Sequence, residues 1–207
     1  MIHWKSETVC TAWKASELPK PELTEIVFVG RSNVGKSTLI NALLNRMGHK
    51  VAYVSSKPGK TRSVNFFKIF APCDGGENIF FLVDMPGYGY ASRGRGERAE
   101  WWKLVNAYFS GGRDTAFVVH LVDFRHGFLA ADEQLTEWLN GMDMPRLVVF
   151  TKGDKVPRSK LKALYNKYVA SGVVSILPPV ITYGKNDEAA DYLRIEIPRI
   201  INELKNA

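Results

Sequence analysis

From Glu25 onward, short apolar runs alternate with longer stretches whose apolar residues recur every three or four positions. The short runs predict strands at Ile26–Val29, Asn65–Phe70, Ile79–Val83, Ala116–Val122 and Leu147–Phe150, with a last one near Val173–Thr182 that Pro178 and Pro179 interrupt. The periodic stretches predict amphipathic helices. One begins at about Lys36 and carries Leu39, Ile40, Leu43, Leu44 and Met47 on one face; the next, from about Glu97, carries Trp101, Leu104, Val105 and Tyr108. Three more present Leu135, Trp138, Leu139 and Met142; Leu161, Leu164, Tyr165 and Tyr168; and Leu193, Ile197, Ile200, Ile201 and Leu204. Asp74-Gly75-Gly76 is a hairpin signal, so the two strands it joins are expected to be antiparallel. Strand–helix alternation of this kind predicts a three-layer α/β/α domain with a mostly parallel six-stranded sheet and one antiparallel edge strand.

Residues 1–24 read as a lead-in to that domain, which spans 25–207. Glu7–Trp13 alternates weakly like an edge strand before Pro19 and Pro21 break the chain. Residues 48–63 and 85–96 read as loops, the second rich in glycine.

Composition narrows the class without naming a function. The only cysteines, Cys10 and Cys73, form no C-x-x-C pair, so no metal-binding or disulfide framework is indicated and a reducing, cytoplasmic setting fits. No stretch reaches the ~18 apolar residues of a membrane span, and no membrane association is expected. The formal charge of +7 favours polyanions such as RNA about as well as it fits a basic enzyme with no such partner.

Three motifs carry chemistry. Gly30-Arg31-Ser32-Asn33-Val34-Gly35-Lys36-Ser37 matches G-x-x-x-x-G-K-S between a strand and a helix. Its backbone N–H groups and the positive end of the helix suit a phosphate chain. Lys36 can reach the outer phosphates, and the Ser37 hydroxyl is a hard oxygen ligand for magnesium. Asp84-Met85-Pro86-Gly87 ends a later strand; its aspartate can hold a magnesium-bound water, and the Gly87 N–H can reach a γ-phosphate. Thr151-Lys152-Gly153-Asp154 ends another strand. An ionised Asp154 only accepts hydrogen bonds, and guanine offers it two adjacent donors where adenine offers none. Lys152 can lay its stem along the base. Thr182-Tyr183-Gly184-Lys185 is a weaker candidate for the loop behind the base, with Tyr183 where a small residue is expected.

Together these segments resemble the EngB (YihA/YsxC) family of bacterial P-loop GTPases, related to Era and EngA. The likeness rests on GRSNVGKSTLINALLN from Gly30, PGKT at Pro58–Thr61, DMPGYGYA from Asp84 and TKGDK from Thr151. The resemblance implies a monomeric GTPase that binds GTP and GDP with Mg2+ and assists assembly of the large ribosomal subunit, contacting its rRNA, in support of growth and division. It also implies phosphate contacts from Gly30–Ser37 and a first switch loop of Gly59, Lys60, Thr61, Arg62 and Ser63, in which Thr61 joins Ser37 and Asp84 at the metal. The second switch is then Asp84, Met85, Pro86 and Gly87, and guanine is held by Thr151–Asp154 with Ile181, Thr182 and Tyr183. Arg62 stands where the family usually has glutamine.

Ras-like enzymes orient the attacking water with a glutamine after D-x-x-G; Tyr88 occupies that position here, so slow intrinsic turnover is expected. Lys36, Asn33 and Thr61 are then the candidate catalytic residues, Asn33 by holding K+ against the phosphates as in related GTPases. Arg93, Arg95 and Arg98 follow the second switch, and Lys155, Arg158, Lys160, Lys162 and Lys167 follow the base motif; either group can meet RNA phosphates. Trp102 and Phe109 lie off the main apolar stripe of their helix, as core or as a contact surface. Two rivals remain: a GTP-gated RNA-binding module in which hydrolysis is incidental, and a P-loop kinase, which gives no reason for Asp154.

Overall fold

The computed structural model describes residues 2–44, 63–73, 76–88, 95–184 and 188–206. Seven strands and five helices alternate along it: β1 Lys5–Ala12, β2 Glu25–Gly30, α1 Lys36–Leu43, β3 Val64–Cys73, β4 Gly76–Asp84, α2 Arg95–Phe109, β5 Thr115–Asp123, α3 Ala130–Asn140, β6 Arg146–Thr151, α4 Arg158–Ala170, β7 Val180–Ile181 and α5 Glu188–Lys205. All seven strands form one sheet in the order β1-β3-β4-β2-β5-β6-β7.

The central strand β2 is buried at every position, as a strand covered on both faces must be. Ile26 and Phe28 face one core with Leu39, Ile40 and Leu43 of α1 and Leu193, Ile197 and Ile201 of α5. Val27 and Val29 face the other, with Trp101, Leu104, Val105 and Tyr108 of α2 and Leu135 and Leu139 of α3. On that same side α4 covers Val122, Val148 and Phe150. The expected α/β/α layering is therefore present, and the helix stripes read from periodicity face inward. Met142, past the end of α3, and Leu204 are exceptions and are exposed; Met47 lies outside the described residues. Trp102 and Phe109 pack edge-to-face against Trp138 of α3, at 5.5 and 5.1 Å between ring centroids, and so belong to the second core.

β3 runs antiparallel to β4, as the hairpin signal predicted, and the pairs β4–β2, β2–β5, β5–β6 and β6–β7 are parallel. The sheet has one more strand than the six expected, because β1 from the lead-in pairs antiparallel with β3. Thus β3 is covered on both edges, and the weakly patterned β1 is the rim. Trp4, just before β1, is buried edge-on against Phe80, and its indole N–H donates to the Arg194 carbonyl at 3.3 Å. Pro198 lies inside α5 and has no N–H to donate to that carbonyl four residues earlier, so Trp4 meets a need the helix leaves open. Arg194 in turn donates from Nε to the Leu43 carbonyl at 3.0 Å and reaches the Ala42 carbonyl, closing the end of α1.

Glu25, at the start of β2, is fully buried. Arg113 grips it in bidentate fashion, Nη2–Oε1 2.6 Å and Nε–Oε2 2.8 Å, and the Tyr108 hydroxyl donates to it as well. Arg113 also donates to the Pro19 carbonyl at 2.7 Å and so ties the lead-in to the domain. Arg113→Met would strand the carboxylate with too few donors. We expect a loss of about 3–5 kcal/mol in urea-induced unfolding.

Candidate functional site

Parallel pairing brings the ends of four strands level. Phe28 of β2 stands beside Asp84 of β4, Gly30 beside Leu121 of β5, and Asp123 of β5 beside Thr151 of β6. All three motifs therefore emerge along one edge of the sheet, at the carboxyl ends of its strands, where α/β sheets hold their ligands.

The phosphate loop joins β2 to α1. Gly35 takes a left-handed φ of +112° at the helix entrance and Asn33 one of +62°. Lys36 and Ser37 form the first turn, and the Lys36 ammonium pairs with the buried Asp84 carboxylate, to which Asn65 Nδ2 donates at 3.4 Å. Ser37 and Asp84 are both hard oxygen donors. Among the described residues no group of three or more His, Cys, Asp and Glu could cage an ion. A set of one carboxylate and one hydroxyl fits magnesium, which commonly keeps waters and phosphate oxygens in its shell. Gly59, Lys60, Thr61 and Arg62 lie outside the described residues, and Ser63 is buried at the start of β3.

The segment Asp84–Tyr88 is bonded to the loop between β2 and α1. Tyr88 N–H donates to the Gly30 carbonyl at 3.3 Å, and Ser32 N–H donates to the Tyr88 carbonyl at 2.9 Å. A Cβ on Gly87 would stand 2.8 Å from Ser32 Cα, so only glycine allows this approach. Met85 N–H donates to the Phe28 carbonyl and Trp101 Nε1 to the Pro86 carbonyl, at 3.1 and 2.7 Å. The Tyr88 side chain is buried: its hydroxyl donates to Asp132 at 2.8 Å and lies 2.7 Å from His120 Nε2. Burial, then the charge and hydrogen bond of Asp132, push that hydroxyl well above its ordinary value of 10.0, and burial lowers His120. Arg93 lies outside the described residues, as do the side chains of Arg95 and Arg98.

The base motif is stitched to both neighbours. Thr151 Oγ1 donates to the Val34 carbonyl at 2.6 Å. Lys152, itself at φ +62°, donates from Nζ to the Asn33 carbonyl at 2.7 Å and to Asp123 Oδ2 at 2.9 Å. Arg125 completes the triad with contacts to Asp123 at 2.9 and 2.7 Å. Burial alone would raise the Asp123 carboxyl, but the hydrogen bonds of Arg125 and Lys152 outweigh it and hold the group well below its ordinary value of 3.8. Asp154 presents a carboxylate about one-third exposed, 3.1 Å from Lys155 Nζ. Thr182 N–H donates to the Phe150 carbonyl, and Gly153 N–H donates to the Thr182 carbonyl, at 2.8 and 2.9 Å. Tyr183 lies against Gly153: a Cβ there would meet its ring at 2.8 Å and Ile181 at 2.6 Å. The side chain of Tyr183 thus backs the motif.

Asp123, Arg125, His120 and Asp132 were not picked out from the sequence. An acid at a strand end was the available signal for Asp123; nothing local marks the other three.

The chain matches the family model for a 50S ribosome-binding GTPase over residues 25–152. It is 38% identical over 200 residues to a probable GTP-binding protein EngB of Kosmotoga olearia, covering 96% of this chain and all of that one. A crystal structure of a probable GTP-binding protein engB superposes with a TM-score of 0.62 at 23% identity, covering 87% of this chain and 100% of the other. Era bound to MgGDPNP and nucleotides 1506–1542 of 16S ribosomal RNA superposes at 0.63 with 22% identity, over 88% of this chain and 56% of that one. These two likenesses concern the fold.

The depressed Asp123 carboxyl gives the site an acid-side signature. Its pairing contributes stability in full above about pH 4 and loses it as acid titrates the folded group. Across roughly pH 4 to 2 the thermal midpoint of the wild type should fall more steeply than that of Asp123→Asn.

Proposed function

Because the chain belongs to the EngB family of GTP-binding proteins and is a GTPase, we propose that it is a slow, guanine-specific switch that acts in assembly of the large ribosomal subunit and supports cell division. The observation that carries the switch is the way the base motif, the phosphate loop and the start of the second switch are bonded to one another at one sheet edge. A nucleotide lying there would be held at its base by Asp154 and at its phosphates by the backbone of Gly30–Ser37 and by Lys36. Magnesium, held through Ser37 and Asp84 with Thr61 of the first switch, would supply positive charge to the β- and γ-phosphate oxygens.

Thr61 and Gly87 would both reach the γ-phosphate, so its loss would release two loops together. Tyr88 supports slow turnover, since its hydroxyl is committed to Asp132 and cannot orient water. Asn33 would hold a potassium ion that stands in for an arginine finger. We assign the protein to the cytoplasm as a monomer; no helix among the described residues is long and apolar enough to cross a membrane. Docking on rRNA would use the exposed basic side chains Arg158, Lys160, Lys162 and Lys167 of α4, which buries none of its residues. The committed Tyr88 hydroxyl also favours a second reading, in which GTP gates docking and hydrolysis is incidental. Single-turnover rates with and without large subunits separate the two.

Asp154→Asn exchanges an acceptor for a donor. GTP affinity should fall by at least about tenfold, xanthosine triphosphate should gain, and the wild type should reject ATP in competition titrations. Turnover should be faster in potassium than in sodium buffer; equal rates would remove the role given to Asn33.

A further inference from the structure

A buried polar chain at the root of the second switch has no part in binding base or phosphate as described above. His120 and Asp132 are fully buried, and Tyr88 is 7% exposed. His120 Nδ1 has no partner among the described residues, and the Tyr88 hydroxyl gives its proton to Asp132, which places the ring proton on Nε2. The donors then run in one direction: His120 Nε2–H to the Tyr88 oxygen at 2.7 Å, and the Tyr88 O–H to Asp132 Oδ1 at 2.8 Å. The second oxygen of Asp132 accepts the Leu129 N–H at 2.9 Å and pairs with Arg31 Nε at 3.1 Å. One carboxylate at the start of α3 thus holds a side chain from the phosphate loop and another from the second switch.

Tyr88 is also held from its other side, since its backbone is bonded to Gly30 and Ser32. Its ring lies 5.8 Å from that of Trp101, which in turn donates to the Pro86 carbonyl. Gly87 sits between these fixed points: its carbonyl accepts from the Ser32 hydroxyl at 3.2 Å, and a Cβ on it would stand 2.8 Å from Ser32 Cα. Phenylalanine would fill the same core at a lower desolvation cost; the hydroxyl, with a neutral donor on one side and a charged acceptor on the other, adds direction.

We infer that Tyr88 is a positioning residue for the γ-phosphate: its hydroxyl, pinned between His120 and Asp132, holds the Gly87 peptide at the phosphate loop and so sets the affinity for GTP relative to that for GDP. This rests on the GTPase reading of the site. The hydroxyl touches no reacting atom and acts through the peptide that precedes it.

The test compares Kd values for GDP and for a non-hydrolysable GTP analogue, by fluorescence titration of the full chain in magnesium buffer. Tyr88→Phe removes one oxygen. It should weaken the analogue about tenfold and leave GDP within about twofold, because GDP lacks the group that Gly87 meets. Asp132→Asn keeps an acceptor oxygen for the hydroxyl but loses charge, and should shift the same ratio about threefold. An unchanged ratio in folded Tyr88→Phe, or equal weakening of both nucleotides, overturns the inference. If Tyr88→Phe does not fold, Asp132→Asn decides, and an unchanged ratio there is the overturning result. Failure of the wild type to bind any guanine nucleotide would remove the GTPase reading itself, and the inference with it.

Discussion

Parallel hydrogen bonding among β4, β2, β5 and β6 is the constraint on which the site is built. In a parallel sheet every strand ends at the same side, and the pairings Phe28–Asp84, Gly30–Leu121 and Asp123–Thr151 make those ends level. Motifs separated by more than a hundred residues in sequence therefore leave the sheet within reach of one ligand. A shift of one strand by a residue would turn Asp84 or Thr151 to the opposite face, so the apolar packing on both sides of the sheet also protects the register of the polar edge.

That edge is held by a few committed polar side chains. Lys152 bridges the Asn33 carbonyl and Asp123; Thr151 bonds the Val34 carbonyl; Asp132 gathers Arg31 and Tyr88. Each joins a loop to the sheet or to α3. Thr151, Asp123 and Asp132 are buried, and polar groups there are costly unless paired. The return is geometric: the loops at this edge are anchored at points only a few residues apart. The Glu25–Arg113 pair does similar service at the other end of β2, where it fixes the lead-in.

Much of this was legible in the sequence, because the signals involved are local. Apolar runs located the central strands, a 3.6-residue period located the buried faces of the helices, and glycines with Lys36 and Ser37 marked the turn from β2 into α1. Partnerships between distant residues were not legible. Glu25 precedes an apolar run and reads as a solvated charge until Arg113, far along the chain, is folded onto it. Tyr88 stands out in the sequence only as the residue after D-x-x-G; the partners of its hydroxyl, His120 and Asp132, reach it from a strand and a helix. Tyr183 was an anomaly in sequence because only folding shows its ring lying against Gly153. The lead-in was undervalued because an edge strand has one protected face and hence a weak pattern.

That rim strand sets an order of events during synthesis. Residues 5–12 leave the ribosome before the β3 residues that will pair with them, and Trp4 precedes the carbonyl it serves by 190 positions. Trp4 therefore cannot meet the acceptor it uses until α5 has been made, and that single bond clasps the rim of the sheet to the last helix.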